Sequence, residues 1–170
     1  MLDQVSDLKN HALKLLESVL DPADAGRIYD HLTQNFSFFS KVNREQFQSE
    51  YTALRLALAT AAWENACIDH HLTQQEIPKI FLREVTRSFE SPKALPVAQM
   101  FSDYLYAPDL EEEKDLMVAL VKRFIHRLNL EKILAADLKK GTPLLPLVQK
   151  LVEIFEAFRN WIESQVAEKA

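Results

Sequence analysis

Glycine is nearly missing from this chain, which has two in 170 residues. Tight hairpin turns need positive φ, and glycine is the residue that supplies it without strain, so a sheet built from many short turns is excluded. The same shortage rules out a glycine-rich phosphate cradle, and no Gly-x-Ser-x-Gly nucleophile turn is present. Cysteine occurs once, at Cys67, and so forms no internal disulfide. No uncharged apolar run approaches the roughly 20 residues that span a bilayer. The opening Met-Leu-Asp-Gln-Val-Ser-Asp lacks the basic and apolar regions of a secretory leader. These features predict a soluble protein of the cytoplasm without a membrane span. A basic excess is also lacking: the formal charge is -5, which gives the surface as a whole little to attract a nucleic-acid backbone, and nucleic acid is not expected as a partner.

What is present is apolar and helical in pattern. Hydrophobic residues make up 48% of the chain, enough at this length for one domain to bury a core without disulfides or a structural metal. We expect an all-α fold: a single domain over residues 1–170, a bundle of about six to eight helices around a long central helix from Arg44 to His71. At about 100° per residue, Phe47, Tyr51, Leu54, Leu58, Ala61, Ile68 and Leu72 fall on one stripe of that segment. Leu56, Ala59, Trp63, Ala66 and Cys67 gather on the opposite side. A surface helix needs one apolar stripe, so two stripes place this helix in the middle. Its alanines, Ala53 to Ala66, thin the segment and let neighbours approach closely.

Helix boundaries are marked by capping chemistry. Asp21-Pro22 ends a first helix over residues 2–20 and starts a second. Asn43 and Gln46 form a capping-box pair, with Val42 and Phe47 placed as a hydrophobic staple. Thr73 and Glu76 repeat that spacing, although Pro78 would disturb the first turn of the helix they open. Ser91-Pro92, Asp109 with Glu112, and Thr142-Pro143 mark further starts, and Asn129 a boundary. A short helix closed by Lys139, Lys140 and Gly141 follows Asn129. In the last helix, residues 142–167, Leu144, Val148, Leu151, Phe155, Phe158 and Ile162 form a seam fit to pack against a neighbouring helix or another chain. Phe36, Phe38 and Phe39 crowd one short segment and must cover the core, a ligand or a partner.

Three groups of residues have the types that chemistry uses. Glu64, Cys67 and His71 are spaced three and four apart on one helix side and could share a metal ion, with zinc fitting the ligand types. As structural residues, His70 and His71 would instead favour the helix C-terminus and Cys67 would be a small core side chain. Lys122, Arg123, His126 and Arg127 share one arc of a helix, suited to a phosphate or an acidic partner. They also follow Glu111, Glu112, Glu113 and Asp115 in the charge order that the helix dipole prefers.

Asp69-His70-His71-Leu72-Thr73-Gln74-Gln75-Glu76, after an alanine-rich helix, resembles the Asp-Gly-x-Ile/Leu-Ser/Thr-x-x-Glu signature of the TerB-like tellurite-resistance domains, with His70 where that family usually has glycine. The resemblance implies metal binding at Asp69 and Glu76. Calcium-binding helix-loop-helix proteins use a similar Leu-Thr-x-x-Glu helix start, which capping also explains. Glu112-x-x-Asp115 is similar to one half of the magnesium-binding carboxylate set of the all-α nucleotide pyrophosphatases, without the other half. Together these features describe a non-catalytic interaction or regulatory module, with a protein partner or self-association through the last helix or the Phe36 to Phe39 segment. The alternative is a small-ligand or metal-binding bundle with its site near the end of the central helix.

Overall fold

The computed structural model describes residues 2–72, 76–105, 115–131 and 144–167. It is an all-α bundle. Helix α1 spans Leu2–Leu20, α2 Pro22–Asn35, α3 Arg44–Asp69, α4 Ile80–Ser88, α5 Leu95–Leu105, α6 Leu116–Arg127 and α7 Leu144–Ala167. Among the described residues no helix is long and apolar enough to cross a membrane. The helix starts at Thr73 and at Asp109 with Glu112, the short helix closed by Gly141, and Thr142-Pro143 lie outside the described residues.

The caps act as their chemistry demands. Asp21 accepts a hydrogen bond from the Ala23 N–H, with Pro22 opening α2. Asn43 accepts from both Glu45 and Gln46, while Val42 and Phe47 are both buried beside it. Asp115 caps α6 by accepting from Met117 and Val118. Pro78 falls within a 3₁₀ turn, Ile77–Lys79, and the α-helix begins only at Ile80, because the missing donor is harmless before the first α-helical turn. The aromatic segment forms a 3₁₀ helix, Ser37–Lys41. Its Phe39 is buried edge-on against Phe47, so that ring covers the core.

Helix α3 touches every other described helix. Its stretch 53–60 is buried without a break, as expected of a helix with no solvent face. The stripe does not hold to the end: Ile68 is 57% exposed. Two charged residues, Glu50 and Arg55, are buried along with the apolar ones. One cluster of buried side chains draws on every described helix.

The seam of α7 faces inward. Leu151 and Ile162 are fully buried, and Phe155 and Phe158 are 9% and 8% exposed in the same cluster. Most of this packing is against α3, with α6 and α1 beside it. The seam is therefore occupied within the chain, which removes it, along with Phe39, as an open docking surface.

Helices α3 and α6 end alike. His71 and Asn129 both have φ of 57°. The Leu72 N–H reaches the Cys67 carbonyl at 2.8 Å and the Leu130 N–H reaches that of Ile125 at 3.1 Å, the crossing bond of a Schellman ending. Asparagine tolerates this left-handed conformation, whereas histidine does so at a cost. Replacing His71 with glycine is therefore expected to stabilise the fold by about 1 kcal/mol, read from urea unfolding. An unchanged midpoint would show that the His71 side chain makes compensating contacts.

Candidate functional site

The end of the central helix does not gather the metal set expected of it. Cys67 is fully buried, and burial followed by the charge of Glu64 pushes its thiol up to about 12. At neutral pH it stays protonated, a poor nucleophile and a poor ligand. Glu64 lies on an exposed position with its carboxyl raised by desolvation. His71 has left the helix in its left-handed conformation, so the spacing of four no longer places it over Cys67. Among the described residues no group of three His, Cys, Asp or Glu side chains could hold a metal ion. Trp63 nearby is structural: its indole N–H donates to the Ile77 carbonyl at 3.0 Å, and its ring stacks on Phe81.

The carboxylates marked by the TerB-like resemblance have cationic partners. Asp69 pairs with Arg159 at 2.7 Å, and Glu76 pairs with Arg83. Of the carboxylates similar to the pyrophosphatase set, Asp115 is engaged as the cap of α6 and Glu112 lies outside the described residues.

The basic arc on α6 is divided. Arg127 turns inward, and its Nε donates to both oxygens of Glu50 on α3, at 2.9 and 2.7 Å. It also pairs with Asp103 on α5. The Tyr104 hydroxyl donates to Glu50 at 2.9 Å. Glu50 is 2% exposed, so this cluster is an ionic tie between three helices. Burial and then the Glu50 charge drive the Tyr104 phenol far above its ordinary value, while the bond to Glu50 raises the Arg127 guanidinium. Arg123 is close enough to oppose the Tyr104 shift. His126 pairs with Glu131, and Lys122 is exposed. Arg127 is thus withdrawn into the bundle from the face that the four were expected to share.

A buried cation, Arg55, lies five residues further along α3 than Glu50 and ties a different set of helices. Arg55 on α3 donates to the carbonyls of Val19 and Ser18, at 3.1 and 3.4 Å, which satisfies the end of α1. It pairs with Asp24 of α2 at 3.4 Å and lies over the rings of Tyr51 and Phe158. One helical turn before it, Tyr51 is 1% exposed, and its hydroxyl has no hydrogen-bond partner. Burial, followed by the charge of Asp24, raises this phenol well above its ordinary value.

Tyr51 is part of the wall of a cavity of about 530 Å³ between α2, α3 and α7. Ile28, Leu32, Phe36 and Leu151 give it an apolar lining. Asp24, Arg27, His31, Gln149, Lys150 and Glu153 supply polar groups around it. Its size is that of a small-molecule site, and polar residues outnumber apolar ones in its wall. Sequence reasoning read Tyr51 as plain core, put Leu151 in the last-helix seam and Phe36 in a segment covering core, ligand or partner, but did not join them or single out the polar lining residues, because they come from three helices far apart in the chain.

Compared with known proteins, the chain matches no family model, no curated protein and no solved structure at a significant level. The likenesses to the TerB-like and pyrophosphatase motifs are confined to the few residues that carry them.

Proposed function

We propose that this chain is a non-catalytic binding module with a regulatory role, taking a small organic ligand into the cavity between α2, α3 and α7. The observation that carries the reading is the cavity itself, about 530 Å³ between three helices, with Ile28, Leu32, Phe36 and Leu151 in its wall. Clefts between helices of a bundle are a usual place for such sites. The cavity replaces the end of the central helix as the proposed site, and the buried seam of α7 becomes one of its supports. We place the protein in the cytoplasm, where an unpaired thiol such as Cys67 is ordinary.

The test is a native mass spectrum of protein purified without chelator, set against its denatured mass. Stoichiometric organic mass is expected on the wild-type protein, and its loss from Gln149→Trp, which fills the cavity from an exposed position, would support the site. Equal loading of both proteins, or bare protein in both, would overturn it.

A further inference from the structure

We infer that a second pocket, on another side of α3, takes an uncharged organic molecule with a hydrogen-bonding group, such as a carboxamide, on a hydrocarbon body. The pocket has a volume of about 410 Å³, within the usual range for small ligands. It lies between the junction of α1 and α2, the first half of α3, and the passage from α4 into α5. It shares no described lining residue with the cavity between α2, α3 and α7, so the two sites stand or fall separately.

The lining from α3 is polar and unspent. Thr33, Thr60 and Thr86 each donate their hydroxyl to the carbonyl four residues earlier, the bond that a helix offers to threonine. Thr52 does not, and Gln48 and Ser49 beside it likewise have no hydrogen-bond partner among the described residues. All three are half-buried in the pocket wall, which leaves their donors and acceptors to water or a ligand. The lining from outside α3 is mostly apolar. It includes Phe89, whose ring rests on Phe101 at 5.6 Å, with Val97 and Leu20, the last of them 38% exposed. Ser88 has already given its hydroxyl to the Val85 carbonyl at 2.6 Å. Among the described residues of the wall none carries a charge, so an ionic ligand would lose hydration and gain no counter-charge. A pure hydrocarbon would instead strip water from Gln48, Ser49 and Thr52 and replace none of their hydrogen bonds. An uncharged polar group on an apolar body meets both demands, and its body gains by covering Leu20 and Phe89.

Para-butylbenzamide, para-butylbenzoate and para-butylbenzamidine share one shape and differ in charge, and calorimetric titration of each into the whole chain tests this. The amide is expected to bind one site at least about tenfold more tightly than either ion. Thr52→Val keeps the shape of the side chain without its hydroxyl and should weaken the amide about fivefold. That hydroxyl bonds nothing within the protein, so the unfolding temperature of Thr52→Val should match that of the wild type, and a lost affinity is then not a lost fold. Ser91→Trp, which fills the pocket from an exposed position, should abolish binding of the amide, whereas Gln149→Trp, in the other cavity, should leave it unchanged. Equal or tighter binding of either ion would overturn the uncharged class. Amide binding that survives Thr52→Val and Ser91→Trp unchanged, or that is lost only in Gln149→Trp, would overturn the second site, as would no binding of the amide at all.

Discussion

Arg127→Met is expected to destabilise the folded chain by about 3–5 kcal/mol, because it leaves the Glu50 carboxylate buried without its counter-charge. The guanidinium now donates to both Glu50 oxygens, and the Tyr104 hydroxyl, which also donates to Glu50, would remain. One neutral donor does not replace a cation for a carboxylate that is 2% exposed. The double variant Glu50→Gln with Arg127→Met should recover most of the loss, since it removes both charges and keeps an acceptor for Tyr104. Lys122→Ala, on an exposed position of the same helix, should stay within about 0.5 kcal/mol of the wild type. Urea unfolding of the four proteins measures these differences. A single-variant loss below about 1 kcal/mol would mean that Arg127 behaves as a surface ion pair, and that the three helices are held together by apolar packing alone.

That tie also shows where sequence reasoning ends. Helix ends were legible because they depend on neighbours in the chain: Asp21, Asn43 and Asn129 each act within a few residues of themselves. The central position of α3 was legible from its two apolar stripes; the seam of α7 was legible from its spacing, but not whether it would pack within the chain or against another. The charged groups were misread. Arg127 and Glu50 are 77 positions apart, and Tyr104 and Glu50 are 54 apart, so no local pattern joins them. One signal was available. Glu50 lies three residues after Phe47 and four before Leu54, and Arg55 lies four after Tyr51 and three before Leu58. A charge on an apolar stripe must find a partner when the helix is buried. The pattern thus predicts that these charges are paired, without saying by what.

The expected metal set failed for a related reason. Helical spacing aligns residues only while the helix lasts, and α3 stops at Asp69. His71 carries the left-handed turn that glycine usually takes, so its side chain leaves the face shared by Glu64 and Cys67. The cavity was illegible because its wall is assembled from α2, α3 and α7.

The double substitution Phe155→Ser with Phe158→Ser is expected to abolish the cooperative fold. Each phenylalanine lies in the buried cluster, and emptying such a site costs about 3–5 kcal/mol. Two such losses approach the whole stability of an ordinary domain, about 5–15 kcal/mol, before the cost of burying two hydroxyls. The sites are also coupled to charge: the Arg55 guanidinium lies over the Phe158 ring at 5.8 Å. Loosening that ring frees the cation that completes the end of α1 and pairs with Asp24. The damage should therefore spread from α7 to α1 and α2, with the cavity wall lost as well. Val152→Ser, at an exposed position of the same helix, should leave the unfolding midpoint nearly unchanged and serves as the control. Circular dichroism on heating, together with size-exclusion chromatography, separates the outcomes. Insoluble or non-cooperative protein follows if the seam is core, as the packing against α3 requires. A soluble, cooperatively folded double variant of smaller apparent size would instead mean that the two rings join separate copies of the chain.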